Sequence, residues 1–302
     1  MSMSRMKLFG AACGIAAVGT ATASPPGAIV VGDVHYVVVD AGSGVAVELK
    51  PGLLLRDLAP LPDRRSFVAS DAQWNERGGI VRVRWTGQGA VVTCLTRGDN
   101  FHPSVSWDGK ELVYEKGHEL WVRPLSGGVP RLLRGSPIRP TVVPSKDLHE
   151  LSPIYDLAWS WNTWLPGDSG LLALYSQPPG GTAYELHYVP YHGRRFAGKP
   201  PQAAEIYTFN PAGNGLAWVD VKGRAWVAGW SRSKGRGLPK RVPTGACESV
   251  AWSPDGKQLA VAGIGGPEQV LSIWDLASGR VRQVAKLGKA LDSSASMVWL
   301  RG

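Results

Sequence analysis

The stretch from residue 248 to 284 constrains the chain more than any other. It reads as four short strands in a row. Residues 249–252 precede the turn Ser253-Pro254-Asp255-Gly256, and residues 258–262 precede a glycine-rich loop. Residues 270–276 precede the turn Ala277-Ser278-Gly279, and residues 280–285 close the set. Each run is apolar or alternating, and each break holds Gly, Pro, Asp or Ser, the residues that turns require.

Four strands of this length make one blade of a β-propeller. One blade cannot bury both its faces, so further copies are expected. The same strand-and-turn opening recurs. Val105-Ser106-Trp107-Asp108-Gly109, Leu157-Ala158-Trp159-Ser160, Tyr207-Thr208-Phe209-Asn210 and Val298-Trp299-Leu300 all align with it. The aromatic anchors then fall at 107, 159, 209, 252 and 299, a spacing suited to four-stranded blades. In the fourth unit, residues 161–164 read as an insertion that delays the turn to Pro166-Gly167-Asp168. Third strands carry Trp121, Tyr188, Trp226 and Trp274, which are expected to pack between blades. A weaker unit covers residues 54–97.

The two ends explain each other. Residues 296–300 supply a first strand and stop, while residues 28–49 begin as if at a second strand. Joined, they form one complete blade and leave the ring no free edge. The expectation is an all-β, six-bladed β-propeller closed by a clasp of one C-terminal and three N-terminal strands, with seven blades as the alternative count. The other five blades lie near 54–97, 101–135, 153–200, 204–244 and 248–288.

The turns Ser253-Pro254-Asp255-Gly256-Lys257 and Ser106-Trp107-Asp108-Gly109-Lys110 resemble those of the TolB-like propeller repeat. Ile273-Trp274-Asp275-Leu276 is similar to the ending of a WD repeat. The resemblance spans nearly the whole expected domain at blade level and is strongest near 104–133 and 248–284. It departs from TolB in that the propeller begins without a preceding α/β domain. It departs from WD repeats in that Cys247 lies where a His is common. What it implies is a fold, since propellers serve unrelated functions.

Residues 1–23 read as a secretory signal peptide, with residues 27–302 as a single propeller domain. Arg5 and Lys7 are the basic start, residues 8–18 the apolar run, and Ala21-Thr22-Ala23 the small-residue cleavage pattern. The apolar run is shorter than the ~20 residues that span a bilayer, so no transmembrane span is expected after cleavage. Lipidation at Cys13 is disfavoured by Gly10-Ala11-Ala12 before it. The expected location is periplasmic or secreted. Of the remaining cysteines, Cys94 and Cys247 fall in blades that do not touch, so both are expected as free, packed thiols.

Hydrophobic residues make up 44% and charged residues 19% of the 302, which excludes a disordered chain, and the formal charge of +9 leaves room for anionic partners. No nucleophile elbow, zinc motif, phosphate-binding loop or calcium loop is present. No cofactor and no metal are expected, and the balance falls against an enzyme while leaving the question open. His187 and His192 are poorly spaced for two ligands.

Second-to-third-strand loops and inter-blade links line one mouth of a propeller channel. The ligand-binding candidates there are Glu76, Arg77, His118, Asp147, His149 and Glu268; Asp147 and His149 lie in the long link 135–152. On the opposite face, the hairpin 231–241 holds Arg232, Lys234, Arg236, Lys240 and Arg241, and the preceding blade holds Arg194 and Arg195. Together these could form a patch for an anionic partner. Without interleaved aromatics, the run is a poor site for single-stranded nucleic acid.

The expected function is a non-catalytic exported scaffold, monomeric, presenting loops to a protein or envelope-polymer partner. The alternatives are a propeller-type hydrolase or lyase with its site at the channel mouth, and a binder of anionic surfaces through the basic hairpins.

Overall fold

A computed structural model describes residues 27–32, 36–49, 55–71, 79–86, 90–117, 119–135, 159–176, 184–192, 204–220, 222–231, 233–265, 268–288 and 296–301. The signal segment at 1–23 and the long link 135–152, apart from Gly135, lie outside these residues. Among the described residues all regular structure is strand, and no helix is long and apolar enough to cross a membrane.

Six antiparallel sheets are present. Blade 1 joins β24 (Ser296–Leu300) to β1 (Ala28–Gly32), β2 (Tyr36–Asp40) and β3 (Ala46–Leu49). Blade 2 is β4 (Leu55–Pro60), β5 (Ser66–Asp71), β6 (Gly79–Trp85) and β7 (Ala90–Cys94). Blade 3 is β8 (Phe101–Val105), β9 (Glu111–Lys116), β10 (Glu119–Pro124) and β11 (Arg131–Arg134). Blade 4 has β12 (Trp159–Trp164), β13 (Gly170–Ser176) and β14 (Tyr184–Pro190). Blade 5 is β15 (Ala204–Phe209), β16 (Gly215–Asp220) and β17 (Ala225–Ser231), with its fourth strand broken into β18 (Gly235–Arg236) and β19 (Lys240–Arg241). Blade 6 is β20 (Cys247–Trp252), β21 (Gln258–Gly265), β22 (Glu268–Asp275) and β23 (Val281–Gly288).

The clasp forms, with β24 antiparallel to β1: Ala28 lies opposite Leu300, Val30 opposite Val298 and Gly32 opposite Ser296. Packing confirms that the ring is closed. Among the described residues, each of six apolar clusters joins two neighbouring blades. Ile29, Val39 and Trp299 of blade 1 pack with Ala260 and Ile273 of blade 6, while Val30, Val298 and Leu300 pack with Leu55 and Phe67 of blade 2. The remaining four clusters join blades 2 to 3, 3 to 4, 4 to 5 and 5 to 6. Burying both faces of every sheet in this way supplies the main driving force for the fold.

The alignment of aromatic anchors needs correction. The first strands of blades 2 to 6 each end in a tight turn whose opening N–H bonds five residues ahead: Leu61 to Ser66, Ser106 to Glu111, Leu165 to Gly170, Asn210 to Gly215 and Ser253 to Gln258. The residues that end the strands are therefore Pro60, Val105, Trp164, Phe209 and Trp252. Trp107 belongs to the turn, and Trp159 starts its strand. Residues 161–164 lie inside β12. Trp164 and Trp252 play one repeated role, because their indole N–H groups donate to Ser104 O and Thr208 O of the preceding blades, both at 3.2 Å.

The third-strand aromatics pack at blade interfaces, as expected, but not in one register. Trp274 faces Leu259, whereas Trp121 faces Tyr114 and Trp226 faces Trp218. Cys94 and Cys247 are both free, but only Cys247 is packed; Cys94, on the outer strand β7, is exposed. Burial first, then the nearby Asp220 and Glu248 charges, push the Cys247 thiol up to about 12.

Candidate functional site: the central channel

The first strands of adjacent blades touch around the ring and enclose an axial cavity of about 260 Å³. All six contribute: Asp57 to Pro60, His102 to Val105, Asn162 to Trp164, Tyr207 to Phe209, Ser249 and Val250, and Ser296 and Met297. The first turns supply Leu61, Pro62, Arg64, Ser106, Trp107 and Pro211. The cavity therefore opens at the face made by first-to-second-strand turns. Its inner end lies among Asp57, His102, Asn162, Ser249 and Ser296.

Bulges set that inner layer. In blades 2, 3 and 4 the pairing of first and second strands skips two residues, at Asp57-Leu58, His102-Pro103 and Trp161-Asn162. A bulge re-aims side chains that regular pleating would alternate. Asp57 and His102 occupy the same place in adjacent blades, four residues before the turn, and both have left-handed backbones with φ of 54° and 49°.

The two side chains meet. His102 Nδ1 lies 3.1 Å from Asp57 Oδ1. Ser70 Oγ donates to Asp57 Oδ2 at 2.8 Å, and the His102 backbone N–H is shared between Asp57 Oδ2 at 3.2 Å and Ser70 Oγ at 3.1 Å. Burial alone would lower the His102 pKa. The Asp57 charge, its hydrogen bond and the buried Glu115 more than reverse this, so His102 lies above its ordinary value. Burial alone would raise the Asp57 pKa, yet the His102 charge and the hydrogen bonds from His102 and Ser70 hold it below its ordinary value. Across this contact the raised His102 pKa favours the imidazolium and the lowered Asp57 pKa favours the carboxylate.

Other bonds tie the layer together. Asn162 Nδ2 donates to His102 O at 3.1 Å, Leu58 N–H donates to Ser296 Oγ at 2.9 Å, and Thr163 Oγ1 donates to Tyr207 O at 3.1 Å. At the mouth, Trp107 reaches across two blades. Its indole donates to Trp164 O at 3.2 Å, and its ring stands edge-on to Phe209 at 6.5 Å.

Of the candidates read from sequence, Glu76, Arg77, His118, Asp147 and His149 lie outside the described residues. The backbone of Glu268 opens β22, opposite Gly265, toward the other face. In the basic set, Arg194, Arg195 and Arg232 also lie outside. Lys234, Lys240 and Arg241 are exposed. Two cations rest on indoles: Arg236 sits 5.3 Å from the Trp218 ring and Lys240 5.2 Å from the Trp274 ring. Aromatic partners thus come from neighbouring strands rather than from within the run. Sequence reading passed over Asp57, Arg64, His102, Asn162 and Ser249. One signal was available: Arg64 and Asp168 stand where the aligned turns of the other blades carry Gly109, Gly213 and Gly256.

These features define a six-bladed propeller with an axial pocket. No family model matches the chain, and no curated protein matches its sequence. Solved structures do. TolB from Acinetobacter baumannii superposes with a TM-score of 0.60 at 16% identity, over 91% of this chain and 66% of that one, so the chain spans just under two thirds of that TolB. A nidogen/laminin complex structure matches with a TM-score of 0.58 at 13% identity, over 91% of this chain and 98% of that one. A protein assigned as TolB from Agrobacterium tumefaciens matches with 0.53 at 12% identity, over 93% and 99%. At the level of fold, the chain is similar to these TolB propellers.

Proposed function

We propose that this chain is a non-catalytic exported propeller that binds a protein partner at the mouth of its axial channel. The observation that carries this reading is the cavity itself. It is built by all six first strands, walled by Trp107, Phe209, Val105 and Met297, and floored by a few fixed polar groups. Pockets of this kind, mostly apolar with sparse polar groups, receive an anchoring side chain of a partner. One structure of similar fold is a nidogen/laminin complex, which supports a protein partner. Export rests on the order of basic, apolar and small residues within 1–23. The basic hairpin at 231–241 is on the same face as this mouth and would add long-range attraction for an acidic partner.

The hydrolase or lyase reading would draw on Asp57 and His102. The Asp57 carboxylate shifts His102 toward its protonated form, which cannot act as a general base, and this favours binding over catalysis. The test is a pull-down from envelope extract with the wild-type chain and with Trp107→Ala. The expected result is a protein recovered by the first and lost with the second. Recovery of no partner, together with measured turnover that Asp57→Asn abolishes, would establish the enzyme reading instead.

A further inference from the structure

Each first turn needs one left-handed residue at its fourth position. Blades 3, 5 and 6 place Gly109, Gly213 and Gly256 there, with φ of 72°, 70° and 70°. Blade 4 places Asp168 there at φ 54°, and blade 2 places Arg64 at φ 53°. A side chain in this conformation costs about 1 kcal/mol or more relative to glycine, and such strain is a pointer to function. Asp168 has a role within the fold, since its carboxylate accepts N–H bonds from Trp107 at 2.6 Å and Asp108 at 3.2 Å. Arg64 has no such role. Among the described residues its guanidinium has no hydrogen bond or ion pair, and its charged neighbour is another cation, Arg301.

Arg64 lies in the cavity wall, where Asp57 and His102 pair with each other at 3.1 Å. Among the described residues it is thus the charged group of the lining without an oppositely charged partner. Burial, then the Arg301 charge, bring its pKa down to about 10, which leaves it cationic at neutral pH. Deeper in, Asn162 Oδ1 and Ser249 Oγ have no hydrogen-bond partner among the described residues, although the two residues are only 7% and 1% exposed. An uncompensated cation at the entrance with unused polar atoms beyond it describes a receptor for an anion on a short polar stem.

We propose that the channel mouth is a carboxylate-binding site, in which Arg64 takes an acidic side chain of the bound partner, while deeper in the channel Asn162 Oδ1, an acceptor, and Ser249 Oγ bond donor groups of the same partner. This rests on the reading of the channel as a binding site. A carboxylate suits the lining better than a phosphate. Pro60, Pro62, Pro103 and Pro211 remove backbone N–H donors from the wall. A planar group that takes both its bonds from one guanidinium is satisfied there, whereas a tetrahedral oxyanion is not.

The test uses the full chain, with glutarate and inorganic phosphate as separate probes, and follows the Trp107 indole and Arg64 Nε–H signals by NMR. Glutarate is expected to shift both signals saturably and to bind more tightly than phosphate. Arg64→Gly restores the residue of the other blades, so its melting temperature should hold or rise while glutarate affinity falls about tenfold or more. Arg280→Gln, exposed in the hairpin between β22 and β23 on the same face, should change nothing. The proposal is overturned if glutarate shifts neither signal, if phosphate binds as well, if Arg64→Gly binds normally, or if Arg280→Gln weakens binding equally. A partner captured from extract that binds Arg64→Gly as tightly as wild type also overturns it, while leaving the binding reading intact. Glutarate binding at Arg64 with no partner captured supports the anion site and counts against the protein-partner reading.

Discussion

His102 Nδ1 lies 3.1 Å from Asp57 Oδ1, across the seam between blades 2 and 3. The raised His102 pKa means its contribution to stability is fully present below 6.5 and is lost as pH rises through the folded-state value. The lowered Asp57 pKa means its contribution is fully present above 3.8 and is lost as pH falls through the folded-state value. The pair therefore stabilises most between 3.8 and 6.5. NMR titration of the His102 ring should show a midpoint above 6.5. A midpoint below that value would mean the pair is not ionised.

Breaking the pair from one side should be costly. Asp57→Asn leaves a buried imidazole without its counter-charge, and such losses run to about 3–5 kcal/mol. The double variant Asp57→Asn, His102→Gln should lose less than the sum of the two single losses, as expected for groups in contact. Denaturant unfolding of the four proteins measures the coupling, and simple additivity would refute it.

Ring closure can be probed at Leu300 and Val298, which are 0% and 1% exposed on the strand that seals blade 1. Leu300→Ala should cost about 2–5 kcal/mol. The loss should appear in the unfolding of the whole ring as one transition, because β24 faces both neighbouring blades. A separate early transition confined to blade 1 would contradict a closed ring.

Much of this was legible in the sequence. The clasp was, because residues 28–49 and 296–300 are regular strands whose missing partners define each other. The channel layer was not. Asp57, His102 and Asn162 lie about 45 to 60 residues apart on three strands, and each sits in a bulge that breaks the alternating pattern. No local motif joins them; only the ring does. The turn Ser106-Trp107-Asp108-Gly109 misled for a related reason. Its tryptophan resembles a strand anchor in sequence, while its N–H is bonded to Asp168 of the next blade.

Gly213 tests the turn geometry from the side opposite to Arg64. Its φ is 70°, and an added Cβ would stand 2.8 Å from Pro166 Cβ. Gly213→Ala should destabilise by about 1–2 kcal/mol from backbone strain, with the clash adding to it. Thermal unfolding gives the sign, and a neutral effect would mean the turns do not meet between blades 4 and 5.

The two thiols should differ sharply. Cys94 is exposed, whereas Cys247 is 3% exposed and poorly ionised. Brief alkylation of the native chain, followed by peptide mass spectrometry, should label Cys94 and spare Cys247. Equal labelling would contradict the packing of blades 5 and 6.

The central claim is that partners enter through the axial mouth. It is tested most directly by placing a photocrosslinking amino acid at Trp107, on the mouth, or at Val91, 55% exposed on the outer strand of blade 2. The prediction is a crosslinked partner from position 107 and none from position 91. Capture at 91 but not at 107 would contradict it.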